Sequence, residues 1–172
     1  MNSLAVENIG FSFPDDWKVG KCDDWQFYRR HFCKLKNGIK CVDLLAVSPE
    51  RTAYLIEVKD HRAHNRTKPS EISTEVAEKV FDTLAMLLPA KISAHHSSEK
   101  ALAEGALGAN KLQIILHLEQ PTKHSKMFPR AIDPANVQVK LKQITNALGF
   151  HPKVVSMSSM SGLDWIARDV KT

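Results

Sequence analysis

Two apolar runs, VDLLAV and YLIEVKD, flank a short polar stretch, and no other feature narrows the fold of this chain so far. Residues 39–47 and 53–59 are rich in β-branched and aliphatic side chains, while SPERT between them supplies Pro49 and polar neighbours that suit a turn. The pair reads as an antiparallel hairpin. Side chains two apart on a strand share a face, so Leu55, Glu57 and Lys59 project together while Tyr54, Ile56 and Val58 project the other way. Hairpin pairing also brings Asp43 toward Glu57. Charges set in so apolar a segment call for a reason, because burying them uncompensated is costly.

Around the hairpin, helical and strand patterns alternate. In 23–35, Trp25, Tyr28, Phe32 and Leu35 fall on one helical face, with an Asp as N-cap and Gly38 just beyond, while the alternation in FYRRHF also permits a strand. Ser70 caps a helix in which Ile72, Val76, Val80, Phe81, Leu84 and Leu88 recur at helical spacing until Pro89 stops it. Ser97 or Ser98 opens a shorter helix closed by Gly108, and 111–120 read as a buried strand ended by Pro121. Asp133 and Pro134 start a helix whose apolar face is Val137, Leu141, Ile144 and Leu148, with Gly149 as its stop. Residues 153–157 read as a last strand, 161–170 as at most one helical turn, and 1–22 as an irregular or short-strand lead-in. The expected architecture is α/β, a single mixed β-sheet flanked by helices within one domain over 1–172.

Composition supports a folded chain. Its 172 residues are 43% hydrophobic, and 24 Lys+Arg against 19 Asp+Glu leave a net charge of +5. That balance argues against wholesale disorder. No run approaches the roughly 18 uninterrupted apolar residues of a membrane helix. Cys22, Cys33 and Cys41 form no CxxC pair, so reduced thiols in the cytoplasm are expected and a zinc site is not. Between Gln120 and Lys153 six Lys/Arg face Asp133 alone, and Arg62, Arg66 and Lys68 follow Lys59 with only Asp60 opposing. Such clusters attract phosphates, and they also keep loops soluble.

The hairpin carries the chemistry. Two carboxylates aimed at one point repel unless a cation neutralises them, and oxygen donors suit Mg²⁺ or Mn²⁺. A metal held by Asp43 and Glu57 would acidify a bound water, with Lys59 orienting it and stabilising transition-state charge. A cross-strand ion pair on the sheet surface would use the same three residues without chemistry. Glu75, Lys79 and Asp82 read as an exposed ion-pair ladder on one helical face, and His117 as a hydrogen-bonded core histidine.

Asp43, followed after a hairpin by Glu57-Val58-Lys59, then a loop and a helix, resembles the PD-(D/E)xK nuclease superfamily over residues 23–118. The resemblance implies a restriction-endonuclease-like core. It also implies catalysis of phosphodiester hydrolysis by Asp43, Glu57 and Lys59, with Asp43 and Glu57 as ligands of Mg²⁺ or Mn²⁺. Val42 stands where that family often has Pro, and only Asp23 or Asp24 could match its frequent extra acidic residue. The expectation is a metal-dependent nuclease of bacterial setting, acting on DNA rather than RNA, with Arg62, Arg66 and Lys68 on the nucleic-acid backbone. A homodimer, a partner protein or substrate shape would supply specificity. The alternatives are a catalytically inactive nucleic-acid- or protein-binding module retaining the nuclease fold, and a hydrolase of another small phosphate ester.

Overall fold

The computed structural model describes residues 1–63, 70–121 and 132–170. The two ends of the chain meet. Strands β1 (Asn2–Val6) and β2 (Ile9–Phe13) form an antiparallel pair, and β8 (Ile166–Asp169) adds to β2 with Phe11 opposite Ala167. The lead-in is thus of the short-strand kind that the sequence allowed, while the strand β8 corrects the expectation of a helical turn in 161–170. Ile9, Phe11 and Phe13 are buried at every second position, a strand period too short to stand out when its partner lies at the far end of the chain.

The larger sheet runs β3 (Lys18–Lys21), β4 (Leu44–Val47), β5 (Thr52–Asp60), β6 (Lys111–Glu119) and β7 (Lys153–Val155), in that spatial order. The β3–β4 and β4–β5 pairs are antiparallel, while β5–β6 and β6–β7 are parallel. The fold is therefore the expected α/β class, a mixed sheet flanked by helices, with a small antiparallel sheet in addition.

The helices differ from expectation in instructive ways. The stretch read as one helix over 23–35 is a short α1 (Gln26–Arg30) between two 3₁₀ turns, and Leu35 is 73% exposed. Helix α2 (Ile72–Ser93) does not stop at Pro89 but carries it in its last turns. The hydrogen bond that proline forfeits belongs to the carbonyl of Ala85, an exposed residue, so water can take it. Its buried face is centred on Val76, Val80, Thr83, Leu87 and Ala90, which turns Phe81 and Leu88 outward. Helix α3 (Ser97–Leu107) ends at Gly108 as read. In α4 (Pro134–Thr145) the Asp133 carboxylate accepts from the Ala135 amide at 3.0 Å, Val137 and Leu141 are buried, and Ile144 and Leu148 are exposed.

Helices α2, α3 and α4 cover one face of the large sheet through Leu55, Ile114 and Leu116. On the other face Ile56, Val58 and Ile115 pack against Phe11, Phe13 and Trp165 of the smaller sheet and its flank. Because β5 and β6 are parallel, with Asp60 opposite Glu119, both end at the same sheet edge, where antiparallel β4 begins. At the opposite edge the β4–β5 turn holds Arg51 at φ 61°, and its guanidinium donates to the Gly108 carbonyl. Among the described residues no helix is long and apolar enough to cross a membrane.

A candidate site at the sheet edge

Glu57 is fully buried on the pleat that faces α2. Lys59, two residues on along the same face, places Nζ 2.6 Å from Glu57 Oε1. Asp43 lies on the bend just before β4, one step past the Leu44–Ile56 pair and so opposite Glu57, and its Oδ2 accepts from the Val58 amide at 2.7 Å. The three residues picked from sequence do converge.

A fourth completes the group. Lys79 of α2 reaches down to place Nζ 2.6 Å from Glu57 Oε1 and 3.5 Å from Asp43 Oδ1. The ion-pair ladder read from sequence does not form: Asp82 accepts from the Lys40 amide at 3.0 Å, and Glu75 accepts from the Ser70 hydroxyl. A signal for Lys79 existed, since it falls one turn from both Val76 and Thr83 on the buried side of the helix. Thr83 fixes this geometry. Its hydroxyl donates to the Lys79 carbonyl at 2.7 Å and accepts from the Val42 amide at 2.9 Å, tying the start of β4 to α2.

Electrostatics couple the four groups. Burial first, and then the Asp43 charge, push the Glu57 carboxyl above its ordinary value of 4.5, against the pull of Lys79 and Lys59. Burial pulls Lys79 down, but Glu57 and Asp43 outweigh it and leave the ammonium above its ordinary 10.5. Lys79 thus stays charged between two carboxylates, in the position that the sequence reading gave to Mg²⁺ or Mn²⁺. Both Asp43 oxygens and Glu57 Oε1 are engaged; Glu57 Oε2 is buried with no hydrogen-bond partner among the described residues. Among the described residues no three His, Cys, Asp or Glu side chains are grouped to hold a metal ion. A Mg²⁺ or Mn²⁺ ion would take Asp43 and Glu57 as its carboxylate donors, with waters completing its six oxygens, and Lys79 holds the oxygens it would use.

Above the cluster opens a cleft of about 450 Å³, lined by Lys40, Lys59 and Lys79 and by Glu75, Glu78 and Asp82. Beneath it Cys22 and Cys41 are buried, and burial pushes both thiols up, away from the nucleophilic thiolate. Burial also raises half-buried Asp23, with Lys21 opposing, while Asp24 is exposed beside Lys21 at 3.3 Å.

The basic residues divide. Arg62 is drawn into ion pairs with Asp60 and Asp169, each at 2.6 Å, and Arg66 and Lys68 lie outside the described residues. Sequence reading overlooked a third stretch. From Gln26 to Lys40 there is no Asp or Glu, and Arg29, Arg30, Lys34, Lys36 and Lys40 are all exposed. His117 is the buried core histidine expected, with Nε2 2.9 Å from Glu119 Oε1 and its ring edge-on to Phe11.

No protein-family model matches the chain, and no solved structure matches it. It is 30% identical over 178 residues, covering 84% of the chain, to a cysteine–tRNA ligase of Neisseria meningitidis serogroup A, and spans 25% of that protein. The similarity is to a ligase. It overturns the expectation of a nuclease hydrolysing phosphodiester bonds and the hydrolase and endonuclease attributes that went with it. In physical terms, the Asp43, Glu57 and Lys59 triad that suggested cleavage is closed by Lys79, a residue the motif does not contain.

Proposed function

We propose that the chain serves in tRNA charging, as the part of an aminoacyl-tRNA ligase, or the companion to one, that contacts RNA in the cytoplasm. The observation that carries this is the 30% identity over 84% of the chain to a cysteine–tRNA ligase. The match takes in one quarter of that ligase, so the role proposed is to position RNA rather than to form the ester bond. Charge supports the assignment. Arg29, Arg30, Lys34, Lys36 and Lys40 present five exposed cations along one acid-free segment, suited to a phosphate backbone.

The test is competition binding. Labelled tRNA should bind the purified chain, with a log–log salt slope of up to about −4 if all five cations engage phosphates. Arg29→Ala with Arg30→Ala should flatten that slope by about two. Duplex DNA should compete poorly, and adding the chain should alter the rate of tRNA charging with cysteine. Duplex DNA that displaces tRNA at equal concentration, or tRNA that fails to bind at low salt, would sink the proposal.

A further inference from the structure

The cleft over the carboxylate cluster continues past Gly38 and Glu78 into a second depression of about 270 Å³. Phe81 forms part of its wall, facing Lys36, Asn37 and Ile39 across from α2. Phe81 is the only aromatic residue of α2 and is 41% exposed, although its spacing from Val80 and Leu84 had suggested the core. The opposite wall is held in place. Asp82 accepts from the Lys40 amide at 3.0 Å, and Gly38 turns the loop at φ +88°, a conformation that glycine adopts without strain.

Charge decides which part of a nucleotide can enter. Glu78 and Asp82 line the depression and would repel a phosphate, whereas a base finds a ring to stack on and a carboxylate to accept from its donors. Lys36, on the rim, is free to meet the backbone. Guanine offers adjacent N1–H and N2–H₂ donors that a single carboxylate can accept together; uracil offers one N–H between two carbonyl oxygens, which a carboxylate disfavours. Bases inside a duplex are stacked and their edges paired, so the base must be single-stranded.

We propose that this depression takes an unpaired guanine of RNA, stacked on Phe81 with its Watson–Crick edge toward Glu78 and its backbone at Lys36. The assignment rests on the RNA-contacting role above and adds which part of the RNA enters, and where. Fluorescence anisotropy with a labelled oligouridine carrying one central guanosine, its all-uridine counterpart, and the guanosine strand annealed to its complement tests it. The guanosine single strand should bind about tenfold more tightly than the other two. Phe81→Ala should erase that preference, and Phe81→Trp should keep it and show quenching beyond that of the three buried native tryptophans. Glu78→Gln should lose the preference for guanosine while keeping salt-dependent binding. Both side chains are exposed, so circular dichroism should show the fold unchanged. Equal affinity for the two single strands, or an intact preference in Phe81→Ala, overturns the guanine site even where tRNA still binds. Failure of tRNA and every oligonucleotide to bind at low salt overturns the RNA-contacting role and the guanine site with it.

Discussion

Neighbouring strands of the large sheet each bury a carboxylate, on opposite faces, and the surroundings treat the two differently. Glu119 ends β6 on the face covered by the small sheet, where its Oε1 takes His117 Nε2 at 2.9 Å and the Met157 amide at 2.6 Å. Those partners belong to its own strand and to the stretch just after β7. Glu57 on β5 faces the helices, and its partners are two long ammonium side chains, from its own strand and from α2, both lining an open cleft. A carboxylate pinned by a ring and a main-chain amide is fixed with the fold. One balanced by lysines at a cleft wall can be rebalanced whenever an arriving ligand draws an ammonium away.

The difference can be broken most severely at Lys79. Lys79→Ala leaves Asp43 and Glu57 facing each other with Lys59 alone to compensate, and should cost about 3–5 kcal/mol in urea unfolding. Mn²⁺ should restore part of that loss in the variant and leave the wild-type midpoint unmoved. An equal response in both would show that Lys79 does not fill the space between the carboxylates. On the other face, Glu119→Ala strands the His117 ring nitrogen and the Met157 amide, for about 1–3 kcal/mol in the same unfolding assay.

A gentler probe is pH. Folded Glu57 holds its proton to a higher pH than the unfolded chain does, so above 4.5 the native state binds more protons and stability falls as pH rises. Its contribution is complete below 4.5 and is lost as pH passes the raised folded value. Lys79, also raised, keeps its contribution below 10.5 and loses it above, as pH climbs through the folded value. Subtracting Glu57→Gln unfolding midpoints from those of the wild type across the acid range should therefore give a difference that declines with pH; a flat difference would mean Glu57 is not desolvated. The smallest effect belongs to the rim. Asp169→Asn removes one of two carboxylates on Arg62 and should cost less than about 1 kcal/mol, because Asp169 is exposed and Asp60 remains.

Local signals made much of this legible. The hairpin, the shared face of Glu57 and Lys59, the approach of Asp43, the Gly108 stop and the Asp133 cap all depend on residues close in sequence, where period and capping chemistry speak directly. What escaped depends on contacts between distant segments. Glu99 of α3 accepts from the Gln26 and Phe27 amides, at 2.7 and 3.2 Å, and so sets where α1 begins. Spacing within 23–35 cannot reveal that. Lys79 was read as solvent-facing because a lysine on a helix normally is; only the buried acids opposite turn it inward. The fold class followed from alternating patterns, whereas function did not follow from the motif, since a carboxylate pair with a lysine looks the same in sequence whether or not a second lysine closes it.

Arg51 occupies a left-handed backbone region that costs a side-chain-bearing residue about 1–3 kcal/mol, and it is held there by its bonds to the far end of α3. Helix α3 is thereby clamped at both termini, to the hairpin through Arg51 and to α1 through Glu99. The start of α1 and the tip of the hairpin are consequently held at a span set by one eleven-residue helix, a strut that braces one end of the sheet against the other.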